Sequence, residues 1–188
     1  LRDQILLRIF GSPDKSQTDG IGGATSLTSK LCIVGNPSVP DAHINYTFGQ
    51  VSIDKPTIDY RPTCGNMSTC VGLYAAEEGY VELTEPITTV RIYNTNINKI
   101  IEVDIPVQDG KIQYHGDFRI AGVPGTSSKM TVNFINSGGS ITGKLLPTGN
   151  VKDVVTIEDG RHFVVSVIDC ANLVIFVDAN QLNVSGTE

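Results

Sequence analysis

The chain has 188 residues, with 20 Asp and Glu against 14 Lys and Arg, for a net charge of −6. That balance argues against a nucleic-acid partner, since phosphate neutralisation needs clustered Lys and Arg. No apolar run approaches the roughly 20 residues that span a bilayer as a helix, so no membrane-embedded segment is expected. Apolar residues make up 40% of the chain, enough for a core, and 19 Gly with 9 Pro imply many tight turns.

The chain opens at Leu1 inside a predicted helix over residues 2–10 and is expected to be a fragment. Ile5, Leu6, Ile9 and Phe10 share one helical face, and Gly11-Ser12-Pro13 ends it. Residues 12–29 read as a long polar loop with Gly20, Gly22, Gly23 and a Ser/Thr cluster; loops of this length in compact domains are usually functional or mobile. Leu31–Val34 is a short apolar strand. Residues 43–53 alternate, and the step between Phe48 and Val51 predicts a bulge near Gly49.

Residues 63–79 form the second predicted helix. Met67, Val71, Tyr74 and Ala75 supply its stripe and Gly79 its C-terminal stop. Strands are expected over 87–93, 100–107, 111–115, 118–120, 130–135, 151–157, 163–168 and 173–177. The Asp109-Gly110 and Asp159-Gly160 pairs mark hairpin turns. Many antiparallel strands and one isolated helix rich in small residues predict an α+β fold, a curved sheet wrapped around that helix.

Two places have the composition of a reactive site. Cys64-Gly65-Asn66 opens the second helix, where unpaired backbone N–H groups and a partial positive charge favour an anion or a thiolate. Spacing alone favours the plainer reading of a buried thiol under a capped helix. Lys30 ends the Gly/Ser/Thr loop just before an apolar strand. A lysine partly desolvated there can serve as a base, and a solvated surface lysine is the alternative. The loop before it matches neither G-x-x-x-x-G-K-[ST] nor G-x-G-x-x-G.

Asn172, before the last apolar strand, can reach a ligand or make an Asx turn. Leu145 to Asn150 reads as a turn. Cys32, Cys70 and Cys170 read as packing. The four cysteines form no C-x-x-C pair, and His43, His115 and His162 match no ligand spacing, so no metal site is assigned. Reduced thiols and no secretory signal point to the cytoplasm.

Several segments, taken together and in order, resemble the family that contains 3-methylitaconate delta-isomerase and 2-methylaconitate cis-trans isomerase. They are Leu7-Arg8-Ile9-Phe10-Gly11-Ser12-Pro13-Asp14, Asp19 through Lys30, Thr63-Cys64-Gly65-Asn66-Met67-Ser68, Ala75 to Gly79, Leu146 to Asn150 and Thr187-Glu188. The resemblance implies the diaminopimelate epimerase-like fold: two similar domains, each a barrel-like antiparallel or mixed sheet around a central helix, with the active site between them. On that reading residues 1–188 are most of the N-terminal domain. An upstream strand segment and the C-terminal domain would be absent, leaving a gap in the barrel.

The resemblance further implies cofactor-independent proton transfer in a small unsaturated di- or tricarboxylate. Lys30 would be the main base and Cys64 a nearby acid/base, with Ser29, Gly65, Asn66, Met67 and Asn172 binding substrate. Leu173 stands where the family carries a proline after Asn172, and Cys170 matches no catalytic cysteine of the family. An amino-acid epimerase or racemase of the same fold, or a non-catalytic carboxylate-binding fragment, is the alternative. A homo-oligomer is left open.

Overall fold

A computed structural model describes residues 1–186, in two compact units, 1–135 and 136 onward. Thr187-Glu188, part of the resemblance, lies outside the described residues.

The first unit begins with α1 (Arg2–Phe10). Its buried side chains are Leu7 and Phe10 and Leu6 packs beside them, while Ile5 and Ile9 are exposed, so the predicted face holds at Leu6 and Phe10 and is corrected at Ile5 and Ile9. Arg2–Phe10 is apolar on several sides, so two stripes satisfy a 3.6-residue period. The stripe that wins packs on Leu31 and Val51 of the sheet.

That sheet holds β1 (Lys30–Gly35), β2 (Ile44–Val51), β4 (Ile87–Asn94) and β5 (Lys99–Gln108) as neighbours in this order. The two-residue β3 (Ile58–Asp59), absent from the sequence expectations, pairs with β2. Two further strands, β6 (Lys111–Ile112) and β7 (Thr131–Phe134), both pair with β5. β2 and β4 run parallel, with α2 (Gly65–Glu77) in the crossover between them, and the other pairs are antiparallel. The sheet is therefore mixed. It is open rather than a closed barrel, since no described pairing joins β1 to β6 or β7.

Alternation on the strands builds the core. Ile44, Tyr46 and Phe48 of β2, Val90 and Ile92 of β4, and Ile101, Val103 and Ile105 of β5 pack with Val71, Ala75 and Ala76 of α2. Each large side chain so buried contributes about 1.5–3 kcal/mol. The helix stripe is Ser68, Val71, Gly72, Ala75 and Ala76, and Tyr74, expected on it, is exposed. Small residues win the inward face because α2 lies close to β5. A Cβ at Gly72 would stand 2.7 Å from the Val103 Cβ, inside contact distance. The helix ends with Tyr80 N–H donating to Ala75 C=O (2.9 Å) and Gly79 in the left-handed region at φ 73°, as expected.

No bulge interrupts β2 at Gly49. Pairing with β1 runs unbroken from Lys30↔Gln50 to Gly35↔Asn45. The step in the apolar pattern has another cause. Phe48 and its i−2 partners face α2, whereas Val51 lies on the opposite face, under α1. The strand is covered on both sides at this end.

Residues 113–130 depart from expectation. Only Lys111–Ile112 of the predicted 111–115 strand pairs, and Phe118 makes one isolated bridge, to Ser127. Gly116, Gly122, Pro124 and Gly125 interrupt this stretch, and Ile120 and Val123 are exposed, so no apolar face drives a strand there.

The second unit holds an antiparallel sheet in the order β10-β9-β8: β8 (Asp153–Thr156), β9 (His162–Cys170) and β10 (Asn172–Val177). A 3₁₀ turn follows at Ala179–Leu182. The loop before β8 is tied to the fully buried Asp169. Its Oδ2 accepts from Ile141 N–H (2.9 Å), Thr142 N–H (2.6 Å) and the Thr142 hydroxyl (2.8 Å). Burial alone would push this carboxyl up, but the donors from Thr142 and Ile141 outweigh it and hold it below the ordinary value. No helix among the described residues is long and apolar enough to cross a membrane.

Candidate active site

Two placements bring the predicted amine and thiol together. Lys30 is the first residue of β1, and strand alternation puts it on the face of Cys32, which packs against the α2 core, while Leu31 points to α1. Cys64 is the N-cap of α2, in extended conformation. Lys30 Nζ donates to Cys64 Sγ at 3.4 Å, with both residues partly exposed.

The segment ahead of the helix is pinned by amides that the sequence did not single out. The Asn94 side chain, fully buried, donates to Thr63 Oγ1 (2.9 Å) and accepts from the N–H groups of Asn96 (3.0 Å) and Ile97 (3.2 Å). Asn96 clamps the Phe48 backbone at both N–H and C=O and donates to Tyr60 C=O (2.6 Å). Asn94-Thr95-Asn96 reads in sequence only as the polar end of a strand; its position next to the parallel pairing is what makes it a clamp. The result fixes where Cys64 begins the helix.

Cys64 makes no side-chain cap bond. The first backbone N–H groups of an α-helix have no partner within it, so Gly65, Asn66 and Met67 present donors and a partial positive charge beside the thiol. Ser68 is the first to close the helix, its N–H and its hydroxyl each donating to Cys64 C=O at 2.9 Å. The Phe134 ring lies 3.7 Å from where a Gly65 side chain would start, giving the site an apolar wall.

The remaining expected residues divide. Asn66 is exposed on the first turn. Met67 packs its side chain against the core, so it has only its backbone N–H to offer a ligand. Ser29, expected to bind substrate, is fully buried with its hydroxyl donating to Gln17 Oε1 (2.8 Å), so its side chain faces inward. Asn172 opens β10, in the second unit, whereas Lys30 and Cys64 are in the first.

The other thiols have different surroundings. Burial pushes Cys32 up to about 11, so it stays protonated at neutral pH. Burial likewise pushes the Tyr46 phenol up. Cys70 is exposed on α2, against the expectation that it packs inside. Cys170 is also exposed, 3.2 Å from the Ser137 hydroxyl. Among the described residues no group of three His, Cys, Asp or Glu stands together as a metal site would require.

An open mixed sheet around a central helix, with an amine and a thiol at the helix start, gives an α+β chain whose fold is shared with racemases and epimerases. A probable proline racemase from Agrobacterium radiobacter K84 shares the fold at 13% identity, with a TM-score of 0.55 over 97% of this chain and 42% of its own. A family model described as PrpF protein matches residues 1–188, and the chain belongs to that family. The 3-methylitaconate isomerase of Eubacterium barkeri is 49% identical over 188 residues, all of this chain and 49% of the relative. A crystal structure of methylitaconate-delta-isomerase superposes with a TM-score of 0.79 at 49% identity, over 100% of this chain and 48% of that one. The chain thus spans about half the length of the curated relatives it matches.

Proposed function

We propose that this chain carries the base and thiol of a cofactor-independent isomerase that shifts a double bond in a small unsaturated di- or tricarboxylate by proton transfer. The interconversion of 3-methylitaconate with 2,3-dimethylmaleate and the cis-trans isomerisation of 2-methylaconitate are the two reactions in view. The observation that carries the reading is the 3.4 Å approach of Lys30 Nζ to Cys64 Sγ at an open helix N-terminus.

The chemistry follows from what each group can do. Removal of a proton allylic to a carboxylate leaves a dienolate-like anion. Lys30 is the group that takes that proton, a step that needs its free amine form. Cys64, within hydrogen-bond reach of the amine, returns one to a different carbon, and the double bond moves. The N–H groups of Gly65, Asn66 and Met67 are aimed where carboxylate charge grows, and such pre-set donors stabilise the anion without reorganising. Rotation about the delocalised bond in the same intermediate permits cis-trans exchange.

The same reading makes residues 1–188 most of the N-terminal domain of a two-domain isomerase, with the facing domain supplied by the rest of the length its relatives have. It also places the protein in the cytoplasm, where the four free cysteines stay reduced.

The test is Lys30→Ala in the full-length protein, assayed on both substrates. Loss of general-base catalysis lowers kcat by about 10²–10⁴-fold. Full retained activity overturns the assignment of the base. A wild-type protein inactive on both, yet incorporating solvent deuterium at an amino-acid α-carbon, would instead be an epimerase.

A further inference from the structure

We propose that Gln17 is a positioning residue for the amine: its buried carboxamide locks Ser29 and the loop before it, and so holds Lys30 against Cys64. This rests on the proton-transfer reading given above.

Gln17 is 1% exposed, and its backbone is in the left-handed region at φ 47°, a conformation uncommon outside glycine and Asn/Asp. Its side chain joins three separate parts of the loop. Oε1 accepts from Ala24 N–H (2.8 Å) and from the Ser29 hydroxyl (2.8 Å). Nε2 donates to Ser12 Oγ (3.1 Å), which in turn donates to Ser52 C=O (2.6 Å). Gly22 lies so close over the amide that any side chain there would collide with it. A polar group this deep, with its partners satisfied, specifies one loop geometry rather than merely tolerating burial.

The consequence falls on Lys30 through Ser29. The Ser29 hydroxyl is held by Gln17, and its carbonyl accepts from Val51 N–H (3.0 Å) and Gln50 Nε2 (3.0 Å). Gln50 is also the register partner of Lys30. The residue before the base is therefore fixed by three bonds, and the Lys30 stem leaves β1 from an immobile point. With Gln17 removed, the Ser29 hydroxyl and Ala24 N–H lose their shared acceptor and the start of β1 loosens on the loop side. The amine's hydrogen bond goes to the Cys64 Sγ, so a displaced amine is felt by that thiol.

The test uses the full-length protein and two readouts. The first is the rate of alkylation by iodoacetamide at Cys64, which the amine 3.4 Å away partly covers, resolved by peptide mapping into a labelling profile with the exposed Cys70 and Cys170 as internal controls. The second is isomerase kinetics. Gln17→Ala is expected to move the Cys64 profile to that of Lys30→Ala. Misplacement of a base by about 1 Å can lower kcat by about 10²-fold, and that is the loss expected for Gln17→Ala, with KM little changed. Gln17→Glu keeps the acceptor oxygen for Ser29 and Ala24 and is expected to restore most of the wild-type thiol profile. Should Gln17→Ala fail to fold, Ser29→Ala removes only the Ser29–Gln17 bond and is expected to shift the profile in the same direction. A wild-type thiol profile in every folded variant of the two overturns the proposal, whatever the change in stability. Because labelling needs no substrate, an inactive wild-type protein would refute the isomerase reading while leaving the role of Gln17 decided by the thiol.

Discussion

The two units use similar strands to different ends. In the first, β5 alternates strictly: Ile101, Val103 and Ile105 are buried against α2, and Glu102 and Asp104 lie on the other face. In the second, β10 is as apolar as any strand in the chain, yet Leu173, Val174, Ile175 and Phe176 are all exposed within the unit. Apolar sequence therefore marks a capacity for burial, and a helix or second layer has to be present to use it. The first unit has that layer in α2, while the second buries Phe163, Val165 and Ala171 and ties its loop to Asp169.

The sharpest way to test this contrast is at Ile101. Ile101→Ala leaves a cavity between β5 and its neighbours, and a buried Ile→Ala change typically destabilises by about 2–5 kcal/mol. Urea unfolding followed by a probe in the first unit should show that loss; a change below 1 kcal/mol would mean that the α2 layer is not what stabilises the sheet.

How much of this was legible beforehand follows the same line. Alternation and glycine stops located both helices and most strands of the first unit, because one periodic signal and one partner layer agreed there. The stripe of α1 was misread because the helix is apolar on several sides, and the apparent bulge at Gly49 because β2 is covered on both faces; in each case periodicity cannot say which face a residue serves. At the site, Lys30 and Cys64 were visible as chemistry and by resemblance. Gln17, Asn94 and Asn96 were not, since a lone amide in a loop or at a strand end has no periodic or motif signature; their partners are up to 48 residues away. The inward turn of the Ser29 hydroxyl was not legible either, because a hydroxyl in an anion-friendly loop looks the same whether it faces a ligand or a neighbouring amide.

The second unit should be most sensitive at Asp169. Asp169→Ala strands the Ile141 and Thr142 donors, and loss of hydrogen bonds to a buried charged group is worth about 2–3 kcal/mol in that unit alone. The pH dependence has a definite sign. The folded carboxyl lies below its ordinary value, so its contribution is present above the unfolded value and is lost as pH falls through the folded one. Acid titration of the second unit followed by amide exchange in 138–146 should show this loss in the native protein and not in Asp169→Asn.

A smaller effect is expected from adding rather than removing volume. Gly72→Ala introduces a methyl 2.7 Å from Val103 Cβ, a rigid neighbour in a packed sheet. Overpacking of this kind typically destabilises by about 1–3 kcal/mol, and it opposes the gain of about 1 kcal/mol in helix propensity. The net loss should appear with Val103 in place and vanish when Gly72→Ala is made in a Val103→Gly background, which removes that Cβ. Additivity of the two changes would show that α2 has room to move off the sheet.

The smallest effect belongs to Ile175, which is 61% exposed on β10. Ile175→Thr keeps β-branching and strand propensity while removing apolar surface that the second unit does not bury. In the 188-residue chain the change should alter stability by no more than about 0.5 kcal/mol, as for other surface substitutions. The same substitution in the full-length protein separates two cases. A loss of about 1–3 kcal/mol there would mean that the β10 face becomes core in the longer chain. An unchanged stability would mean that the face stays outside any core.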